Sequence, residues 1–123
     1  MLKGILGVVA GLVAFIAVAT VGGLILRTWP AYSSVAAAMT FTLPMLIARL
    51  SIGAVATFTA GLGAAIIARR SIYVAVATGV TLLLLFVPEH ILIWAKFPIW
   101  YHLTFLISLV PLTYVGGRAV ADS

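Results

Sequence analysis

Cysteine is absent from the 123 residues, and the acids are reduced to Glu89 and Asp122. Without thiols there is no disulfide framework, no thiolate metal site and no cysteine nucleophile. Charged residues make up 7% of the chain, where a soluble domain carries about a quarter. That is too little polar material for a water-facing skin. A soluble globular domain, a disordered chain and a free nucleic-acid-binding module are all excluded. The formal net charge of +5 reflects the shortage of acids, because the seven cations are scattered and form no basic stripe. Nucleic acid is therefore no expected partner. Enzyme templates are missing as well: there is no GxSxG elbow, no HExxH, no glycine loop for a phosphate, and no Asp in any span. No catalytic residue, no metal and no cofactor is expected.

What is present is apolar, at 65% hydrophobic residues. From Gly4 to Leu26 no residue is charged, and Lys3 and Arg27 bracket the run. At ~1.5 Å per residue it covers about 34 Å, enough to cross a ~30 Å hydrocarbon core. A secretory leader cleaved after Ala17-Val18-Ala19 is the rival reading, but the apolar run continues to Leu26, so a retained span is expected. Arg27 to Ser34 reads as a true loop, with Trp29 and Tyr32 as headgroup-level anchors. A second span, about 43–68, starts at a Thr42 cap with Pro44 in its first turn and ends at Arg69-Arg70. A third covers 71–87, where Pro88 should stop or kink it, and residues 88–96 are expected either to continue it for a turn or, as the favoured reading, to form a short interfacial helix. A fourth covers 98–117, with a kink expected at Pro111. The predicted fold is all-α: residues 1–123 as a single integral membrane bundle of four transmembrane helices.

Lipid tails are as apolar as leucine, so such helices associate through close backbone approach and interhelical hydrogen bonds. Span one offers Gly7 and Gly11. Span two offers Gly53, Thr57, Gly61 and Ala65 at four-residue spacing, and span three offers Ala75 and Gly79. Span four has no comparable ridge before Gly116. These ridges serve either packing within one chain or docking of a partner subunit or a second copy.

Four spans put both termini on one side, with Lys3, Arg69, Arg70 and Arg118, against Arg27, Arg49 and Lys96 on the other. The positive-inside rule then places both termini in the cytoplasm of a bacterial inner membrane. Aromatics are lopsided: Trp29, Tyr32, Phe41, Trp94, Phe97, Trp100 and Tyr101 fall at the far side, and only Tyr73 and Tyr114 near the termini. Counting residues along the helices brings Arg49, Glu89, His90 and His102 to one slab at the far interface, where they form the candidate polar cluster. Within it Arg49 is expected to pair with Glu89, the only acid near any span. His102 as a partner for Glu89, or free reach of both charges to headgroups, are the alternatives. A Glu and two His would suit a metal, but no HxxxH or HxxE spacing supports one.

The chain resembles small bacterial four-span integral membrane proteins. Four features carry the likeness: a glycine-bearing first span ending near Trp29-Pro30, a glycine-rich second span ending at Ala68-Arg69, the patch Pro88-Glu89-His90, and Pro111 followed by Gly116-Gly117. The resemblance covers most of the chain and implies a four-span bundle, with no activity attached. Other small four-helix families fit less well. Small multidrug transporters need a Glu in the first span, dimeric fluoride channels an Asn and Phe track, and membrane glutathione and eicosanoid enzymes an Arg, Asn and Glu pattern. The function expected is non-enzymatic: an accessory or scaffold subunit of a larger inner-membrane complex. A small oligomeric transporter or channel is the alternative, and a quinone- or lipid-binding membrane protein the third. The lipid bilayer itself is a partner in each.

Overall fold

The computed structural model describes residues 2–36, 38–39, 41–69 and 71–121; Arg70 and Asp122 lie outside the described residues. Among these residues five α-helices and one 3₁₀ turn follow in order: α1 Leu2–Arg27, α2 Pro30–Val35, α3 Leu43–Ile67, α4 Ile72–Leu92, the turn Trp94–Lys96, and α5 Ile99–Ala121. The fold is all-α. α1, α3, α4 and α5 are long and apolar enough to cross a membrane and pack as a bundle. The shortest of them, α4, has 21 residues, about 32 Å of helix.

α3 is the central element. α1 and α5 pack along it, α4 closes against α5, and lighter contacts join α4 to α3 and α1. The chain enters at one end of the bundle and crosses four times. The termini and the turn after α3 therefore share the near end, while α2 and the 3₁₀ turn share the far end.

Two segments depart from the sequence reading. Arg27 to Ser34 is no open loop, because Pro30 starts the short helix α2 at a position where its missing N–H is harmless. The Ser33 hydroxyl donates to the Arg27 carbonyl (2.5 Å) and ties that helix to the end of α1. Pro88 does not stop α4 either. It is exposed, and its missing N–H removes only one hydrogen bond near the helix end. The helix runs on to Leu92, and the Ile93 N–H donates to the Glu89 carbonyl. Residues 88–96 are thus a last helical turn and one 3₁₀ turn, and not an interfacial helix of their own. α5 likewise continues through Pro111, which is exposed.

At the near end backbones touch. A β-carbon on Gly7 would lie 2.8 Å from the Ala64 carbonyl oxygen, and one on Gly11 2.8 Å from that of Ala60. A β-carbon on Gly61 would overlap the Thr113 backbone, and one on Gly116 the Phe58 carbonyl. Gly79 abuts Thr113 and the Val110 backbone, and Gly117 abuts Ala75. Ala65 and Ala75 are fully buried. Thr57 is buried too, its hydroxyl satisfied by the Gly53 carbonyl at 2.6 Å. These small residues are used inside the chain. α5 does bring a ridge of its own, Leu109, Thr113 and Gly116, in which the buried Thr113 turns its hydroxyl back on the Val110 carbonyl (2.9 Å).

The outer faces are apolar, with Ile16, Leu84 and Ile107 each more than 60% exposed. Trp29, Trp94 and Trp100 are partly exposed at the far end, and Tyr73 and Tyr114 at the near end. Amphipathic rings at both ends of an apolar bundle are the arrangement that a membrane–water interface selects.

Candidate functional site

Arg49 sits six residues into α3, about 9 Å from the helix start. It carries a charge that a helix at this depth cannot simply leave to hydrocarbon. Its solution is aromatic. Nε donates to the Tyr101 hydroxyl (3.1 Å) and Nη1 to the Tyr32 hydroxyl (2.7 Å), while Cζ lies 4.9 Å from the Phe41 ring centroid and 5.6 Å from that of Phe97. Tyr32, Phe97 and Tyr101 are buried. The rings form one run across the far end: Tyr32 stacks on Phe41, Phe41 on Phe97 and Phe97 on Tyr101, with centroids 4.9, 5.8 and 4.6 Å apart. Phenol oxygens accept hydrogen bonds without neutralising the cation, and the ring faces add cation–π attraction.

The Arg49–Glu89 ion pair expected from the sequence does not form. Among the described residues, the polar partners of Arg49 are the two tyrosines. The depths agree, since both residues border one cavity, but Glu89 is exposed. A carboxylate drawn to Arg49 would lose hydration for a pair worth only ~0–1 kcal/mol at a wet interface.

The two histidines form the second element. His90 near the end of α4 and His102 near the start of α5 bring their Nδ1 atoms to 2.7 Å. His102 Nε2 lies 3.0 Å from the Trp94 carbonyl oxygen, which can only accept. With both rings neutral, His102 therefore carries its proton on Nε2, and its Nδ1 accepts from His90 Nδ1–H. His102 is fully buried, with the Trp94 indole stacked on it at 4.4 Å; His90 stacks on Phe105 at 5.0 Å. The pair leaves His90 Nε2 as an acceptor without a protein partner. No buried side-chain nitrogen or oxygen among the described residues lacks a partner, so this atom keeps some accessible surface, on a residue that lines the same cavity as Arg49.

Arg49, Glu89 and His90 line one cavity of about 200 Å³. α1 contributes Phe15, Ala19, Gly23 and Leu26 to its wall, and no polar side chain; Tyr32 and Tyr101 complete the polar lining. A β-carbon on Gly23 would meet nothing within 4 Å, so this glycine keeps the cavity side of α1 low. His102 stands behind His90. Of the four residues singled out from the sequence, three border the cavity and the fourth is wired to it. Among the described residues no three His, Cys, Asp or Glu side chains gather at one point. The sequence reading missed Tyr32 and Tyr101 as the partners of Arg49, and it treated Tyr32 as a surface anchor. The excess of aromatics at the far end was the available signal.

The chain matches no protein-family model, no curated protein and no solved structure.

Proposed function

We propose that the chain is a non-enzymatic, multi-pass membrane protein that binds an oxyanion in the far-end cavity, supplied either by the head of an amphiphile in the bilayer or by a small soluble anion. The observation that carries this reading is the coordination of Arg49. A guanidinium has five N–H donors and two are spent on tyrosines. Both hydroxyls accept from Arg49 and keep their own protons to donate. The lining thus offers a cation with no carboxylate paired to it, since Glu89 borders the cavity without reaching Arg49, and a surplus of donors, the chemistry that a carboxylate, phosphate or sulfonate oxygen satisfies. The cavity is smaller than the ~300–1,000 Å³ of pockets for drug-sized ligands, which suits a head group or a small anion.

In the orientation proposed from the charge distribution, the termini face the cytoplasm of a bacterial inner membrane and the cavity faces away from it. An impermeant thiol reagent on intact cells should then label Ser33→Cys and spare Ser71→Cys. An accessory-subunit role has less support than it had from the sequence, because the small-residue ridges are occupied within the chain.

Calorimetric titration of the protein in a nonionic maltoside tests the site. Hexanesulfonate and methanesulfonate are suitable probes, since neither changes charge between pH 5 and 9. Saturable binding that Arg49→Gln weakens at least tenfold is expected. Binding of both probes points to a soluble anion, and binding of hexanesulfonate alone to an amphiphile. Equal affinity in Arg49→Gln, or no binding of either, contradicts the proposal.

A further inference from the structure

The cavity holds a proton acceptor beside a donor-rich cation, and the acceptor is wired to a second imidazole. We propose that the anion enters together with one proton, taken up at His90 Nε2 and shared along the His90–His102 pair, so that the site is a proton-coupled oxyanion site. The inference rests on the anion reading above and adds the co-ligand.

The geometry limits the pair to one proton between its facing nitrogens. Two Nδ1 atoms 2.7 Å apart cannot both carry hydrogen. With both rings neutral the order is His90 Nδ1–H to His102 Nδ1, and His102 Nε2–H to the Trp94 carbonyl. A proton from water can add at only one open place, His90 Nε2. The imidazolium so formed still donates from Nδ1 to His102. Alternatively the Nδ1 proton passes across, and His102 holds the charge with one N–H on His90 and the other on Trp94. Either way one proton and one anion enter and the pair gains one N–H: an O–H bond of hydronium or of a buffer acid breaks as the His90 Nε2–H bond forms, and in the second arrangement the His90 Nδ1–H bond is exchanged for one on His102 Nδ1.

Charge explains why the two arrive together. The ionisable or charged groups around His90 are Arg49 on α3, Tyr32 on α2, Tyr101 and His102 on α5, and Glu89 on its own helix; α1 presents none to the cavity. A proton on His90 alone would place a second positive charge in a cavity whose cation has no carboxylate paired to it. An anion against Arg49 removes that conflict and gives the new N–H an acceptor. By linkage, an anion that favours the proton is favoured by it to the same extent.

Titrations of hexanesulfonate or methanesulfonate, whichever binds, in buffers of different ionisation enthalpy count the protons taken up. One proton per anion is expected, with affinity rising about tenfold per unit fall in pH while the free pair is neutral. Nitrogen-15 spectra of the histidines in the wild-type protein give a readout independent of any variant. They should show two neutral rings of opposite tautomer without anion, and one imidazolium with it. His90→Gln should still bind the anion at high pH but lose the pH dependence. Anion binding without proton uptake, with both rings still neutral, overturns the coupling and leaves the anion site standing. Uptake that survives His90→Gln and vanishes in Glu89→Gln also overturns it, by moving the proton to Glu89. No binding of either probe at any pH removes the anion site, and this inference with it.

Discussion

The two ends of the bundle are built on opposite principles. At the near end Gly7, Gly11, Gly61, Gly79 and Gly116 set helix backbones directly against each other, and Gly117 abuts Ala75. At the far end α3, α4 and α5 meet α2 through Tyr32, Arg49, His90, Tyr101 and Phe105, and a cavity of about 200 Å³ remains among them. Small residues bring helices together and leave no room between them. Large planar residues hold them apart, and their polar edges then face one another. The near end is the clamp, and the far end keeps the cavity in which an anion is proposed to bind.

The largest effect should come from breaking the clamp. Gly61→Leu puts a branched side chain where α3 lies on the Thr113 backbone, and backbone cannot rotate away. Overpacking ordinarily costs about 1–3 kcal/mol, and here the loss should reach or pass the upper end of that range. Leu84→Ala, on a face that is 69% exposed, should leave the thermal midpoint in detergent nearly unchanged. Equal midpoints for the two variants would show that the clamp is not a packing contact.

Next in size is Arg49→Lys. It keeps the charge but loses the planar fork that reaches two tyrosines at once. Hydrogen bonds to charged groups contribute about 1.5–3 kcal/mol each, and a lysine can recover part of this, so a loss of about 1–3 kcal/mol in unfolding free energy is expected. Full stability in this variant would mean that the tyrosines do not hold the guanidinium. Glu89→Gln should change least. Glu89 is exposed and has no ion pair with Arg49, so stability should be unaffected, and the double variant with Arg49→Gln should show additive losses. Its one visible consequence should be a modest gain in sulfonate affinity, because a negative charge leaves the cavity rim. Coupling between the two positions would restore the ion pair.

The clamp was largely legible in the sequence, since four-residue spacing of small residues states which helix face approaches a neighbour. Thr113 escaped because threonine reads equally well as a backbone hydrogen-bonder on any face. The site was legible in its depth but not in its partners. Counting residues along α3 and α4 brings Arg49, Glu89 and His90 to one level, and helical rise alone suffices for that. Which of them touch depends on rotation about each helix axis and on the segments between spans, neither of which a linear count contains. Tyr32 reaches Arg49 only because Pro30 starts a helix where a loop was expected. His102 meets His90 only because α4 passes Pro88 and leaves a single 3₁₀ turn before α5.

Anomalous scattering from crystals grown with selenate or 6-bromohexanesulfonate tests the far-end site most directly. The expected result is an oxyanion inside the cavity, its oxygens about 2.7–2.9 Å from the Arg49 guanidinium, with the Tyr32 and Tyr101 hydroxyls turned toward it. Neither anion within reach of Arg49, or Arg49 swung out to pair with Glu89, would contradict it.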